Sequence, residues 1–240
     1  MRANWNTTLS TAIFEVDGLP LPVALVRHHA ARRLRLRIDH ERGQLRLTLP
    51  VRGSARAALR WAGEQRAWVE GQLKQAPAAV AFTNGAEIPF RGEPLTLRFV
   101  EGRRGVTLEA PELRIGGPPA AAGRTVQRWL QRQALDELSA STAAVAAVAG
   151  VTVRSVGIGD AASRWGSCSS EGAIRYSWRL IMAPAECLRF VVAHEVAHRL
   201  HMDHSARFRA AEERLFGGPV APARALLRQI GPALRLIGRS

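Results

Sequence analysis

A strict two-residue alternation near the N-terminal end dictates much of what can follow. From Arg33 to Ile38 the chain reads Arg-Leu-Arg-Leu-Arg-Ile, and from Gln44 to Leu49 it reads Gln-Leu-Arg-Leu-Thr-Leu. Successive side chains of a strand point to opposite faces, so this period suits a half-buried antiparallel pair and not a helix. His40-Glu41-Arg42-Gly43 supplies the turn between the runs. One face of the hairpin then carries Leu34, Leu36, Ile38, Leu45, Leu47 and Leu49, and the other carries Arg33, Arg35, Arg37 and Arg46. Ala12 to Val16 and Leu21 to Val26 read as further strands.

Past Pro50 the period changes. Ser54 is a plausible N-cap for one helix over about 54–75, carrying Ala58, Trp61, Trp68, Val69 and Leu73, with Pro77 as its stop. A second β-rich stretch covers Ile88 to Phe90, Leu95 to Val100, Val106 to Leu108 and Leu113 to Ile115. The run Gly117-Pro118-Pro119-Ala120-Ala121-Ala122-Gly123 reads as a boundary. Beyond it, Arg124 to Ala149 is helical in pattern, Thr152 to Trp178 is β-like, Pro184 opens another helix, and Ala221 to Ile230 closes the series after Gly217-Gly218-Pro219. The expectation is an α+β chain: a β-rich antiparallel region with one helix over 1–116 and a second domain over 124–240, with no internal sequence repeat.

Composition narrows the class. The 240 residues are 47% hydrophobic, enough for a packed core and too apolar for a disordered chain. Two cysteines, Cys168 and Cys187, exclude a disulfide scaffold and fit a reducing compartment. The first residues lack the basic-then-apolar pattern of a secretory signal, and Ser139 to Val153 is too weakly apolar for a membrane span, so a cytoplasmic location without membrane association is expected. The net charge of +14 is spread along the chain, with no basic tail, and favours anionic partners in general.

The chemistry is concentrated in Val191-Val192-Ala193-His194-Glu195-Val196-Ala197-His198. On a helix His194 and His198 project from one face about 6 Å apart along the axis, close enough to share a cation. Zinc takes imidazole nitrogen and prefers four ligands, so a third protein ligand plus a water would complete the site, with Glu195 placed to accept the proton of that water. Two satisfied surface histidines are the bland alternative, but the apolar neighbours imply burial.

For the third ligand, His201 shares the face but lies about 10.5 Å along a straight helix from His194, too far for easy convergence. His204 can join only if the chain turns near Met202-Asp203, which Asp203 would permit by adopting the left-handed conformation or by capping. Glu212 or Glu213 remains the other option. The turn favours His204.

Three segments together resemble the YgjP-like zinc metallopeptidases, relatives of the SprT-like zincins. They are Arg164-Trp165-Gly166-Ser167-Cys168-Ser169, Ile174 to Pro184, and His194 to His198 with Asp203-His204-Ser205-Ala206-Arg207-Phe208. The resemblance extends loosely to the Arg/Leu hairpin. It implies a zincin-like fold, Zn2+ held by His194, His198 and His204, and Glu195 as catalytic acid/base. Asp203, Ser177 and Arg209 depart from the usual Asn, Asn and Trp of that pattern.

The expected activity is hydrolysis of peptide bonds in a protein or peptide substrate, the metal acidifying a water whose proton Glu195 takes and later passes to the leaving amine. Ala173 to Trp178 is a candidate edge strand for holding the peptide, or else an ordinary inner strand. Arg164, Tyr176 and Ser177 are candidate substrate-binding residues; packing is the simpler role for Tyr176, as it is for Trp165, Trp178 and Cys168. His28, His29 and His40 carry no expected chemistry. Two competing functions remain: a nucleic-acid-binding protein with a structural metal, built on the arginine face, and a SprT-like protease acting on DNA-associated proteins. Weak electrostatic nucleic-acid binding fits the charge, and the sequence leaves the oligomeric state open.

Overall fold

A computed structural model describes residues 9–39, 42–75, 78–161 and 163–239, so His40, Pro77 and the first eight residues lie outside it. The architecture is mixed α+β, and the chain divides into two compact units, Met1–Ala76 and Pro77–Ser240.

In the first unit, β1 (Leu9–Phe14) pairs antiparallel with β2 (Val23–His28). The alternating runs become β3 (Arg35–Asp39) and β4 (Gln44–Pro50), with Leu36 opposite Leu47, Ile38 opposite Leu45 and Arg37 opposite Arg46. β4 also runs parallel to β2, so the sheet, in the order β1-β2-β4-β3, is mixed and not wholly antiparallel as expected: the hairpin's second strand sits beside β2 instead of at an edge. Ser54 accepts the Ala57 amide at 3.3 Å and starts α1 (Ala55–Glu64). The one helix expected to reach Gln75 is interrupted at Gln65, where φ is −87° and ψ 12°, and α2 (Arg66–Gln75) follows. Gly63, a weak helix former, lies in the last turn before the break. Ala62 before it and Val69 after it both reach the core of Val23, Leu25, Leu45, Leu47 and Leu49.

The second unit begins with β5 (Glu87–Phe90), β6 (Glu93–Val100), β7 (Val106–Glu109) and β8 (Glu112–Gly116). Their order, β5-β6-β8-β7, with a parallel pair flanked by antiparallel partners, repeats that of the first sheet although the sequences show no repeat. α3 (Pro119–Ala149) starts ahead of the expected Arg124, because Pro118 is an extended N-cap and Pro119 sits in the first turn, where its missing N–H costs nothing. The Gly/Pro run therefore ends β8 and opens α3. Leu97, Leu113 and Ile115 share one core with Val126 and Leu130.

Three strands follow, β9 (Ser155–Gly159), β10 (Gly166–Cys168) and β11 (Ala173–Ser177), in the order β10-β11-β9. Of the two readings of Ala173 to Trp178, the inner strand holds and the edge strand does not: β11 is antiparallel to β10 and parallel to β9, and β10 is an edge. A 3₁₀ turn over Trp178–Met182 leads to α4 (Ala185–Ala197), α5 (Ala206–Phe216) and α6 (Ala221–Leu236). α6 continues past Gly231-Pro232. Gly231 is required there because a Cβ would come within 2.9 Å of Trp165 Cζ2, and the buried Leu234 and Leu236 hold the final turns. Among the described residues no helix is long and apolar enough to cross a membrane.

Candidate metal centre

α4 buries Val191, Val192, Ala193, Val196 and Ala197, which leaves His194 and His198 on its less covered side. The helix stops at Ala197, and the Arg199 and Leu200 amides close tight turns onto Val196 and Ala197 carbonyls. That early stop turns the chain back and brings His204 to the other two. The ring centroids of the three imidazoles are 5.0, 5.3 and 4.9 Å apart, and their ligating nitrogens lie within 4.8 Å of one another. Roughly 3.3 Å would separate nitrogens around a tetrahedral zinc with bonds of about 2.0–2.1 Å, so small ring rotations suffice and the donor set fits the ion.

Asp203 does not take a left-handed conformation; among the described non-glycine residues the positive φ belongs to Arg91. Instead Asp203 Oδ1 accepts the Ser205 amide at 3.1 Å, and Ser205 Oγ accepts the Phe208 amide as the cap of α5. The cap fixes Phe208, which is buried and lies 5.1, 4.6 and 4.8 Å from the rings of His194, His198 and His204. It forms an apolar floor under all three imidazoles.

Two ring orientations are fixed from behind. His198 Nδ1 is 3.2 Å from the His201 carbonyl, and His194 Nδ1 is 2.7 Å from Glu212 Oε1. With the proton on Nδ1 in each, Nε2 is the atom left to meet a cation. Burial, followed by the charge of His194, lowers the pKa of His198, which favours the neutral, ligating form. His201 thus contributes a carbonyl, Glu212 faces an imidazole, and Glu213 is exposed.

Glu195 is 4% exposed. Burial raises its carboxyl to about 7, against the opposing pull of His194 and Arg164. A group poised there can exchange protons near neutrality. β10 reaches it through Gly166, where a Cβ would be 2.7 Å from Glu195 Cγ and would strike the carboxylate as well. Gly166 adjoins the candidate catalytic carboxylate without motif spacing having flagged it; an isolated glycine inside a strand pattern was the available signal, since it marks a close approach.

The other expected site residues have different surroundings. Arg164 is exposed and lines a cleft of about 360 Å³ together with Gly166 and the other two candidate substrate-binding residues, Tyr176 and Ser177. Tyr176 is buried, its hydroxyl 3.0 Å from Thr142 Oγ1, and burial pushes its pKa well up. Ser177 is buried too, its Oγ accepting the Arg179 amide as the cap of the 3₁₀ turn. Trp178 is buried, Trp165 packs partly against the core, and burial raises the Cys168 thiol above its usual pKa.

No curated protein and no solved structure matches the chain. The family model of the YgjP-like metallopeptidase domain matches residues 32–229, from just ahead of the Arg/Leu hairpin to within α6, and the chain therefore belongs to the YgjP-like metallopeptidases.

Proposed function

We propose that the protein is a zinc-dependent peptidase whose ion is held by His194, His198 and His204, with Glu195 as the general acid/base. The observation that carries this reading is the convergence of three imidazoles, their ligating nitrogens within 4.8 Å of one another, beside a buried carboxylate. Three side chains leave one position of a tetrahedral ion open to solvent or substrate, which is the arrangement of catalytic and not of structural sites. When bound, zinc supplies a Lewis acid that acidifies water and polarises a carbonyl.

The chain's own residues do the rest. Glu195, buried beside the three imidazoles, takes the proton from the attacking water and delivers it to the leaving amine. Gly166 leaves room for that carboxylate. β10 is an edge strand of its three-stranded sheet, a place where an extended peptide can add as a further strand.

Metal analysis of the purified protein, with casein hydrolysis by wild type and Glu195→Gln, tests the reading. One equivalent of zinc in both proteins is expected, with turnover reduced by about 10²–10⁴-fold or more in the variant. Undiminished hydrolysis at equal zinc content would remove Glu195 from the mechanism.

A further inference from the structure

We infer, on the metal reading above, that Glu212 clamped by Arg224 is a positioning pair for His194: it selects the ring nitrogen that faces the metal and sets the affinity of the site.

Glu212 lies on α5 with 0% exposure, and a carboxylate that deep persists only when its oxygens are paired. Both are. Oε1 is 2.7 Å from His194 Nδ1 and Oε2 is 2.8 Å from Arg224 Nη2 on α6. The Arg224 guanidinium supplies the countercharge that a carboxylate at this depth requires. The Arg224 guanidinium also lies 5.3 Å from the Phe190 ring, whose centroid is 6.1 Å from that of His194. Helices α4, α5 and α6 therefore meet behind one imidazole.

The other anchored ligand is treated differently. His198 Nδ1 has a neutral backbone carbonyl at 3.2 Å. A carboxylate acceptor raises the basicity of the opposite ring nitrogen and offsets part of the charge of a dication, so His194 is the better donor of the two. A plain structural ion pair would behave otherwise: its loss would lower fold stability and leave metal affinity alone.

The test uses the full-length protein with Glu212→Gln, which keeps shape and an acceptor oxygen but removes the charge, and Arg224→Met, which frees Glu212 without touching His194. Zinc affinity is measured by chelator competition, and unfolding of the metal-free proteins is followed in parallel. Glu212→Gln is expected to weaken zinc binding by about 10–100-fold, with a smaller loss in Arg224→Met. Wild-type affinity in both variants would overturn the assignment, whatever happens to their unfolding. Should Glu212→Gln not fold, nitrogen NMR of the wild-type histidine rings decides: His194 must carry its proton on Nδ1, and a proton on Nε2 contradicts the role. Failure of the metal reading itself is separable, because it appears as a wild type that binds no zinc.

Discussion

The two four-stranded sheets share one strand order and differ in what is built on them. The sheet of β1 to β4 covers one face with Val23, Leu25, Leu45, Leu47 and Leu49 under α1 and α2, and its other face exposes Arg35, Arg37 and Arg46. Its described core holds no buried charge; Gln44 is the buried polar residue. The sheet of β5 to β8 is equally apolar, with Ile88, Leu95, Leu97, Leu113 and Ile115, but it belongs to a unit that also buries Thr142, Ser177, Arg179, Glu195 and Glu212. An apolar layer stabilises a fold without specifying chemistry. Buried ionisable groups are costly unless paired, so where they gather they mark either a bracing ion pair or a site.

Arg179 illustrates bracing. It is 3% exposed, makes two bonds to Asp160 at 2.7 and 3.1 Å, and donates to the Leu234 carbonyl at the end of α6. Glu195 illustrates the other case, since it carries no such cationic clamp and its pKa moves upward instead.

The contrast is sharpened by truncating one large apolar side chain in each unit. Phe208→Ala is expected to cost about 3–5 kcal/mol and, because the floor under three imidazoles is lost, to weaken zinc binding as well. Leu47→Ala should cost about 2–5 kcal/mol in the first unit and leave zinc affinity unchanged. Denaturant unfolding with chelator titration reads both; a Leu47→Ala protein that folds but has lost its metal would break the separation of roles.

A smaller effect, of about 3 kcal/mol, follows from Glu195 in the metal-free protein. Its folded pKa, about 7, lies above the ordinary 4.5. The stabilisation from keeping it protonated is complete below pH 4.5 and is lost as pH rises through 7. Glu195→Gln has no such loss, so its stability relative to wild type should rise between pH 5 and pH 8 in thermal unfolding of the stripped proteins. A constant difference would mean that Glu195 titrates normally. The smallest effects are at the caps: Ser205→Ala and Ser54→Ala should each cost about 1 kcal/mol, but only Ser205→Ala, which holds Phe208 and the turn after His204, should also change metal affinity.

Local rules made part of this legible. Alternation revealed β3 and β4 because period two is a property of a few adjacent residues, and His194 with His198 could be paired because one helical turn joins them. His204 required a turn near Met202-Asp203, and the structure has a bend there, with Asp203 accepting the Ser205 amide, after α4 has already ended at Ala197. Element ends were harder. Pro119 began a helix where prolines suggested a boundary, and Gly231-Pro232 failed to end one because Trp165 packs against it. Gly166, Phe208, Glu212 and Arg224 act across strands and helices distant in sequence. Their partners come into view only once β10, α4, α5 and α6 are packed together.

X-ray absorption at the zinc edge of the loaded, substrate-free protein tests the centre most directly. The account predicts a single zinc with three imidazole nitrogens and one oxygen, all at about 2.0–2.1 Å. A shell containing sulfur, fewer than three imidazoles, or a fourth protein side chain in place of the solvent oxygen would contradict it.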